Sequence, residues 1–372
     1  MTTALRIGLL RLVDSAPVLW AEATGLFAAE GLAVTLSIEP SWANIADKLS
    51  YGALDAAVIL PPLAIAIAGG LRGQKHPLIL PMSLSAGGNT LTLTPALVRQ
   101  IGREGSALDR ARRLGALLPT RPPLRLAVVH GFSTHNLLLR YWLAAGGIDP
   151  DRAVEILTLP PEATADALAA GAIDGFCAGA PWGAVAEASG AGARLLDTCE
   201  IWGAHPEKAL VVDAARAATE PAMIGALLRA LLKASACCDD TANNASLTRL
   251  LADPAGLALP ERAVRAVLSG PDRPIFAAGA VGFPFISHAA WFAGQMRRWG
   301  WLEGTAPDLY RPDLYAAAAA DLNLPSPDAV AKPEGLHAEA WFLPSSAVPI
   351  AMQADRFCDG QTFGMDGHNL PK

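Results

Sequence analysis

Three segments of this chain place polar or aromatic residues where a strand should end and a helix begin. They are Ser41-Trp42, Gly131-Phe132-Ser133-Thr134-His135, and Gly179 with Pro181-Trp182. The first turn of a helix carries backbone N–H groups that no helical carbonyl accepts, and the aligned peptide dipoles make that end positive. Such an end suits an anion. His135 at that position is favoured as a neutral imidazole or beside a partner anion. Lys208, in His205-Pro206-Glu207-Lys208-Ala209-Leu210, enters an apolar strand and offers the cation that a buried anion requires. Each residue also has a plainer place. Ser41 and Thr134 fit as helix caps, Trp42 as core, His135 as a structural side chain and Lys208 as a surface group.

The elements that must position these residues alternate in type. Strand signals over 4–10, 32–38, 55–60 and 77–84 are separated by helix signals over 15–26, 41–51 and 61–69, with Ser15 and Ser41 as caps. This rhythm predicts a parallel sheet with helices on both faces. Gly87-Gly88 breaks it, and a hinge strand is expected over 86–93. A second unit follows, with strands over 124–129, 154–159 and 174–178 and helices over 135–145 and 163–170. The run Arg110 to Arg113 reads as solvated and in a loop. Residues 208–212 form a strand that can return to the first unit. Helices are then expected over 221–238, 260–268, 288–299 and 314–322, and a loosely packed tail over 357–372. The fold class predicted is α/β: a hinged clam of two α/β lobes with the ligand cleft between them. Residues 1–87 and 209–372 form the first lobe, with a helical C-terminal part, and 88–208 the second. Ligands in such folds sit where strand C-termini and helix N-termini converge.

Composition narrows the function. The chain has 372 residues, 52% hydrophobic, with a formal net charge of −6. That suffices for two cores and disfavours nucleic acid as the main partner, since no basic stripe is present. Five cysteines at scattered spacing form neither a disulfide framework nor a zinc motif. No GxSxG, GxxxxGK[ST] or HExxH signature occurs. No cofactor, metal site or catalytic residue is expected. No stretch of about 18 uninterrupted apolar residues is present.

At LRIGLLRLVDSAPVLWAEATGLFAAEGL, SWANIADKLSYGALDAAVILPP, STHNLLLRYWLAAGGIDPD, IDGFCAGAPW, IWGAHPEKAL and SHAAWFAGQMRRWGWL, the chain resembles the nitrate/bicarbonate-binding family of solute-binding proteins. The resemblance implies a type II periplasmic-binding-protein-like clam. It also implies that nitrate is held by Trp42, a hinge amide at Asn89, His135, Gly179 and Lys208, with Pro161 packed nearby. Where nitrate binders of the family have Gln at the hinge, this chain has Asn89. Bicarbonate binders carry an acidic residue with a metal ion at the position of Lys208, so the resemblance implies nitrate or nitrite without a metal.

Arg6 and Arg11 break the apolar stretch near Met1, so it reads as a first strand and not as a secretory leader. A cytoplasmic location is therefore expected. Combined with the resemblance, this implies a nitrate/nitrite sensor that sequesters a protein partner, a NasT-like ANTAR antitermination regulator, and releases it on ligand binding. The substrate-binding subunit of a nitrate ABC importer is the second reading, and a small-molecule enzyme on the same clam the third.

Overall fold

The computed structural model describes residues 3–271 and 273–369. The first four strands are β1 (Thr3–Leu9), β2 (Leu32–Ile38), β3 (Ala56–Ile59) and β4 (Leu78–Ser83). The next five are β5 (Asn89–Leu93), β6 (Leu124–Val128), β7 (Val154–Thr158), β8 (Gly175–Gly179) and β9 (Ala193–Asp197). The chain then returns through β10 (Ala209–Asp213). One sheet has the order β2-β1-β3-β10-β4 and the other β7-β6-β8-β5-β9. In the first, β1 runs parallel to β2 and β3, while β10 is antiparallel to β3 and β4. In the second, β6 runs parallel to β7 and β8, while β5 is antiparallel to β8 and β9. Both are thus mixed: each mainly parallel sheet takes in one antiparallel strand, β10 in the first and β5 in the second. Strands β3, β4 and β8 are buried along their whole length, as expected of strands covered by helices on both faces.

Two crossovers lie side by side and join the lobes. The Leu84 N–H donates to the Lys208 carbonyl (2.7 Å), Glu207 N–H to Ser85 (2.9 Å) and Gly87 N–H to His205 (3.1 Å). Gly87 and Gly88 have φ of 65° and 79°, a conformation costly for any residue with a Cβ. At Gly88 a Cβ would also stand 2.6 Å from Pro274. The lobes touch across the cleft as well. Val13 N–H donates to the Ala180 carbonyl (2.9 Å), and Trp182 Nε1–H to the Arg11 carbonyl (3.2 Å).

Four local expectations are corrected. The helix over 15–26 is broken at Gly25, φ 74°, into Ala16–Ala23 and Leu26–Ala29. Ser15 does not cap it, because its hydroxyl donates to the Leu10 carbonyl at 2.9 Å. Ser133, not Thr134, caps the helix Thr134–Ala145 by accepting from the Asn136 N–H at 3.0 Å. The run Arg110 to Arg113 lies inside the helix Ala107–Leu117, capped by a Ser106/Asp109 box. There Arg110 is buried, donating to the Leu195 carbonyl at 2.7 Å and pairing with Glu200.

The fourth correction concerns the tail over 357–372, of which 370–372 lie outside the described residues. It is packed. Phe357 stacks on Trp202 at 4.9 Å between ring centroids and meets Phe363 at 4.8 Å, while Trp202 and Trp291 stand 4.5 Å apart. Tyr141 Oη donates to Asp359 at 2.9 Å. Large aromatic surfaces of this kind have more to gain from burial than a polar, Gly-containing sequence suggests.

The helix Pro221–Asp239 is long and apolar enough to cross a membrane by length and composition. It buries Leu227, Leu228, Leu231 and Ala234 completely and lies against the helices Ala16–Ala23 and Pro312–Asp321. Its charges Arg229 and Lys233 both pair with Glu30. It is a core helix of the first lobe.

Candidate functional site

The crossovers and helix starts bring a group of fully buried polar side chains together. Trp42 opens the helix Trp42–Ser50, whose cap Ser41 accepts from the Asn44 N–H at 3.2 Å. Lys208 precedes β10 and is 0% exposed. Its Nζ stands 5.7 Å from the Trp42 ring centroid, within cation–π range. Nζ is also 2.6 Å from Glu207 Oε1 and 3.1 Å from Asp14 Oδ2. No other lysine or arginine among the described residues pairs with either carboxylate.

The second lobe supplies the opposing wall. His135 occupies the first turn of Thr134–Ala145, with Nε2 3.5 Å from Glu207 Oε1. Asn89 begins β5 directly opposite Gly179 of β8. A Cβ at Gly179 would stand 3.2 Å from Asp14 Oδ2 and 3.3 Å from Asn89 Oδ1. The missing side chain is therefore what lets the Asp14 turn of one lobe approach β8 of the other. Asn89 lies near enough to Glu207 to favour its ionised form, yet neither end of its amide makes a hydrogen bond of ordinary geometry.

That last feature is shared. Trp42 Nε1, Asn89 Nδ2, Thr134 Oγ1 and both ring nitrogens of His135 are buried without a hydrogen-bond partner. A buried donor without a partner costs about 1–3 kcal/mol, and native proteins tolerate few of them. Such a concentration in one cluster is an arrangement that a bound ligand would satisfy. The donors suit an acceptor-rich, uncharged or anionic molecule. Among the described residues, no group of three or more His, Cys, Asp or Glu is arranged to hold a metal ion.

Burial sets the charge states. It drives the His135 imidazole well below its ordinary pKa, assisted by Lys208 and His205, so His135 is neutral and has one N–H to give. Burial also works against the Lys208 ammonium, but Asp14 and Glu207 hold its pKa above the ordinary value. Burial raises Glu207 to about 7, opposed by Lys208 and reinforced by Asp14. His205 falls to about 4, again chiefly through burial.

Trp42, Asn89, His135, Gly179 and Lys208 are thus brought into one cluster. Pro161 lines a small cleft with Leu10, Arg11, Glu39, Pro40 and Glu162, where Arg11 and Glu162 approach to 3.9 Å. Sequence reasoning assigned no role to Asp14, Glu207 or His205. The available signals were an acid just after the first strand and an acid next to the one strand-entry lysine.

The NMT1-like family model matches residues 1–252. The chain is 35% identical over 335 residues to the bicarbonate transport ATP-binding protein CmpC of Synechococcus elongatus, covering 86% of this chain and 50% of that protein. It therefore spans about half the length of that relative. It is 31% identical over 345 residues to the nitrate/nitrite binding protein NrtA of Synechococcus elongatus, covering 84% of this chain and 76% of that one. The crystal structure of the periplasmic nitrate-binding protein NrtA from Synechocystis matches with a TM-score of 0.84 at 24% identity, over 98% of this chain and 96% of that chain. The fold is that of the periplasmic binding proteins, two α/β lobes around a cleft.

Proposed function

This chain belongs to the NMT1-like family, and from that premise we propose that it is a binding protein for nitrate or nitrite, held between its lobes. One observation carries the reading: a buried lysine faces unpartnered donors of Trp42, Asn89 and His135 in a cluster drawn from both lobes. Nitrate is planar and monovalent. It accepts hydrogen bonds in its plane, lies against an aromatic face and needs one cation. Trp42, the Asn89 amide, the neutral His135 and Lys208 match those needs. The shorter Asn89 leaves its amide one methylene further from a ligand than the Gln of nitrate binders would. The relatives named for binding are not enzymes by name, which supports a binding role.

For the output of binding we propose a cytoplasmic sensor of the NasS type. Ligand closes the lobes, closure alters a docking surface, and a NasT-like ANTAR regulator is released. Cross-lobe bonds such as Val13 to Ala180 support closure as the switching motion, and the coupling requires different partner affinity in the two forms. The importer-subunit reading is favoured by relatives named for nitrate import and bicarbonate transport.

Calorimetry with nitrate, nitrite, bicarbonate plus calcium, and an alkanesulfonate tests the ligand. Nitrate or nitrite should bind alone. Binding of bicarbonate with calcium and of neither nitrogen oxyanion would overturn the reading. Mixing with an ANTAR regulator should give a complex that nitrate dissolves, whereas a stable complex with permease subunits would establish the importer role.

A further inference from the structure

The charges around Lys208 do not balance for an anion. One ammonium faces two carboxylates, Asp14 and Glu207, all fully buried. With both carboxylates ionised these groups carry an excess negative charge, and a monovalent oxyanion would add a second. Uncompensated charge of that size is not tolerated at full burial, where charged groups neutralise by moving protons instead.

The groups facing Glu207 show where a proton can go. Lys208 adjoins it, and Asp14 approaches from the turn after β1. His135 comes from the helix Thr134–Ala145, and His205 from the crossover, with Nδ1 3.7 Å from Glu207 Oε2. Asn89 is the neutral neighbour, and the thiols of Cys177, buried in β8, and of Cys199, on the crossover, sense the Glu207 charge. Thr198 donates its hydroxyl proton to the Asn89 carbonyl at 3.3 Å and lies 2.8 Å from His205 Nε2, while His205 Nδ1 lies 3.3 Å from the Pro206 carbonyl. Glu207 Oε2 has no hydrogen-bond partner as a carboxylate, so it is the open position for a proton.

We propose that the oxyanion enters this site together with one proton from solvent, and that Glu207 takes it. The anion brings one negative charge, the Glu207 carboxylate becomes a neutral carboxyl, and the net charge of the site is unchanged. Lys208, no longer shared with Glu207, is freed to pair with the anion, while Asp14 remains its fixed counter-ion. Burial that already lifts Glu207 to about 7 places this exchange near neutral pH. The inference rests on the oxyanion reading and adds a pH term to it. Affinity falls as pH rises above the Glu207 transition, about tenfold per unit.

The test is nitrate titration of the full chain by calorimetry, in buffers of different ionisation enthalpy, from pH 5.5 to 9. Near pH 8, uptake of about one proton per nitrate is expected, falling toward none at pH 5.5. Glu207→Gln should bind nitrate with flat pH dependence and no uptake, and at pH 8 about tenfold more tightly than the parent. Binding by the parent with no buffer dependence and flat affinity would overturn the coupling while leaving the oxyanion reading intact. Uptake that persists in Glu207→Gln would remove Glu207 as the acceptor. No nitrate or nitrite heat at any pH would overturn both.

Discussion

The Lys208 ammonium lies 3.1 Å from the Asp14 carboxylate, both buried, joining the strand that returns to the first sheet with the turn that follows β1. Removing one partner of such a pair leaves an uncompensated charge and costs about 3–5 kcal/mol. Lys208→Ala is expected to lose that much stability in denaturant unfolding and to abolish nitrate binding. The double variant Lys208→Met with Asp14→Asn should recover much of the stability without recovering the ligand.

Trp42 separates binding from folding. Its Nε1–H has no partner to lose, and its ring fills a fully packed position. Trp42→Phe keeps most of the packing and removes the donor. A hydrogen bond to a charged group contributes about 1.5–3 kcal/mol, so nitrate affinity should fall roughly tenfold or more. The loss in stability should be no greater than that of a conservative core substitution, read from denaturant unfolding.

Gly179 tests the approach of the lobes. Cβ contacts of 3.2, 3.3 and 3.4 Å with Asp14, Asn89 and Leu12 are tight but fall on the cross-lobe face. Gly179→Ala should fold normally and bind nitrate weakly. Small-angle scattering with nitrate present should show a less compact particle than the parent.

Stability should depend on pH through His205. Burial lowers its pKa from 6.5 to about 4, with Lys208 adding to the effect and the Pro206 carbonyl opposing it. Between those values the unfolded chain binds a proton on this residue that the folded chain does not. The stability it contributes is present above pH 6.5 and is lost as pH falls toward 4, on the order of 3 kcal/mol. Denaturant unfolding of the parent and of His205→Gln at pH 7 and 4.5 measures the difference. The parent should lose stability relative to the variant on acidification.

The C-terminal segment should matter to stability. Phe357 is buried against Trp202 and Trp291, and truncating a buried Phe costs about 3–5 kcal/mol. Phe357→Ala should lower the unfolding midpoint accordingly, whereas a loosely attached tail would leave it unchanged.

Much of this protein was legible from local pattern. Period-two and period-3.6 hydrophobicity marked the strands and helices, Gly87-Gly88 marked the crossover, and strand-end positions marked Trp42, His135, Gly179 and Lys208. These signals are local because backbone geometry and burial repeat along the chain. The charge environment of Lys208 was not legible. Asp14, Glu207 and His205 converge on one ammonium only after β10 has returned to the first sheet and the two crossovers have paired. Coulomb energy depends on distance and burial in the folded state, which spacing along the chain does not encode. The tail was misread for a related reason, since Phe357 and Phe363 sit among polar neighbours and find their aromatic partners only in tertiary contact. Sequence alone determined the two lobes and the donors that meet between them. The tertiary structure decided that the one lysine of the cluster is shared between two acids, because only folding brings Asp14 and Glu207 to the same ammonium.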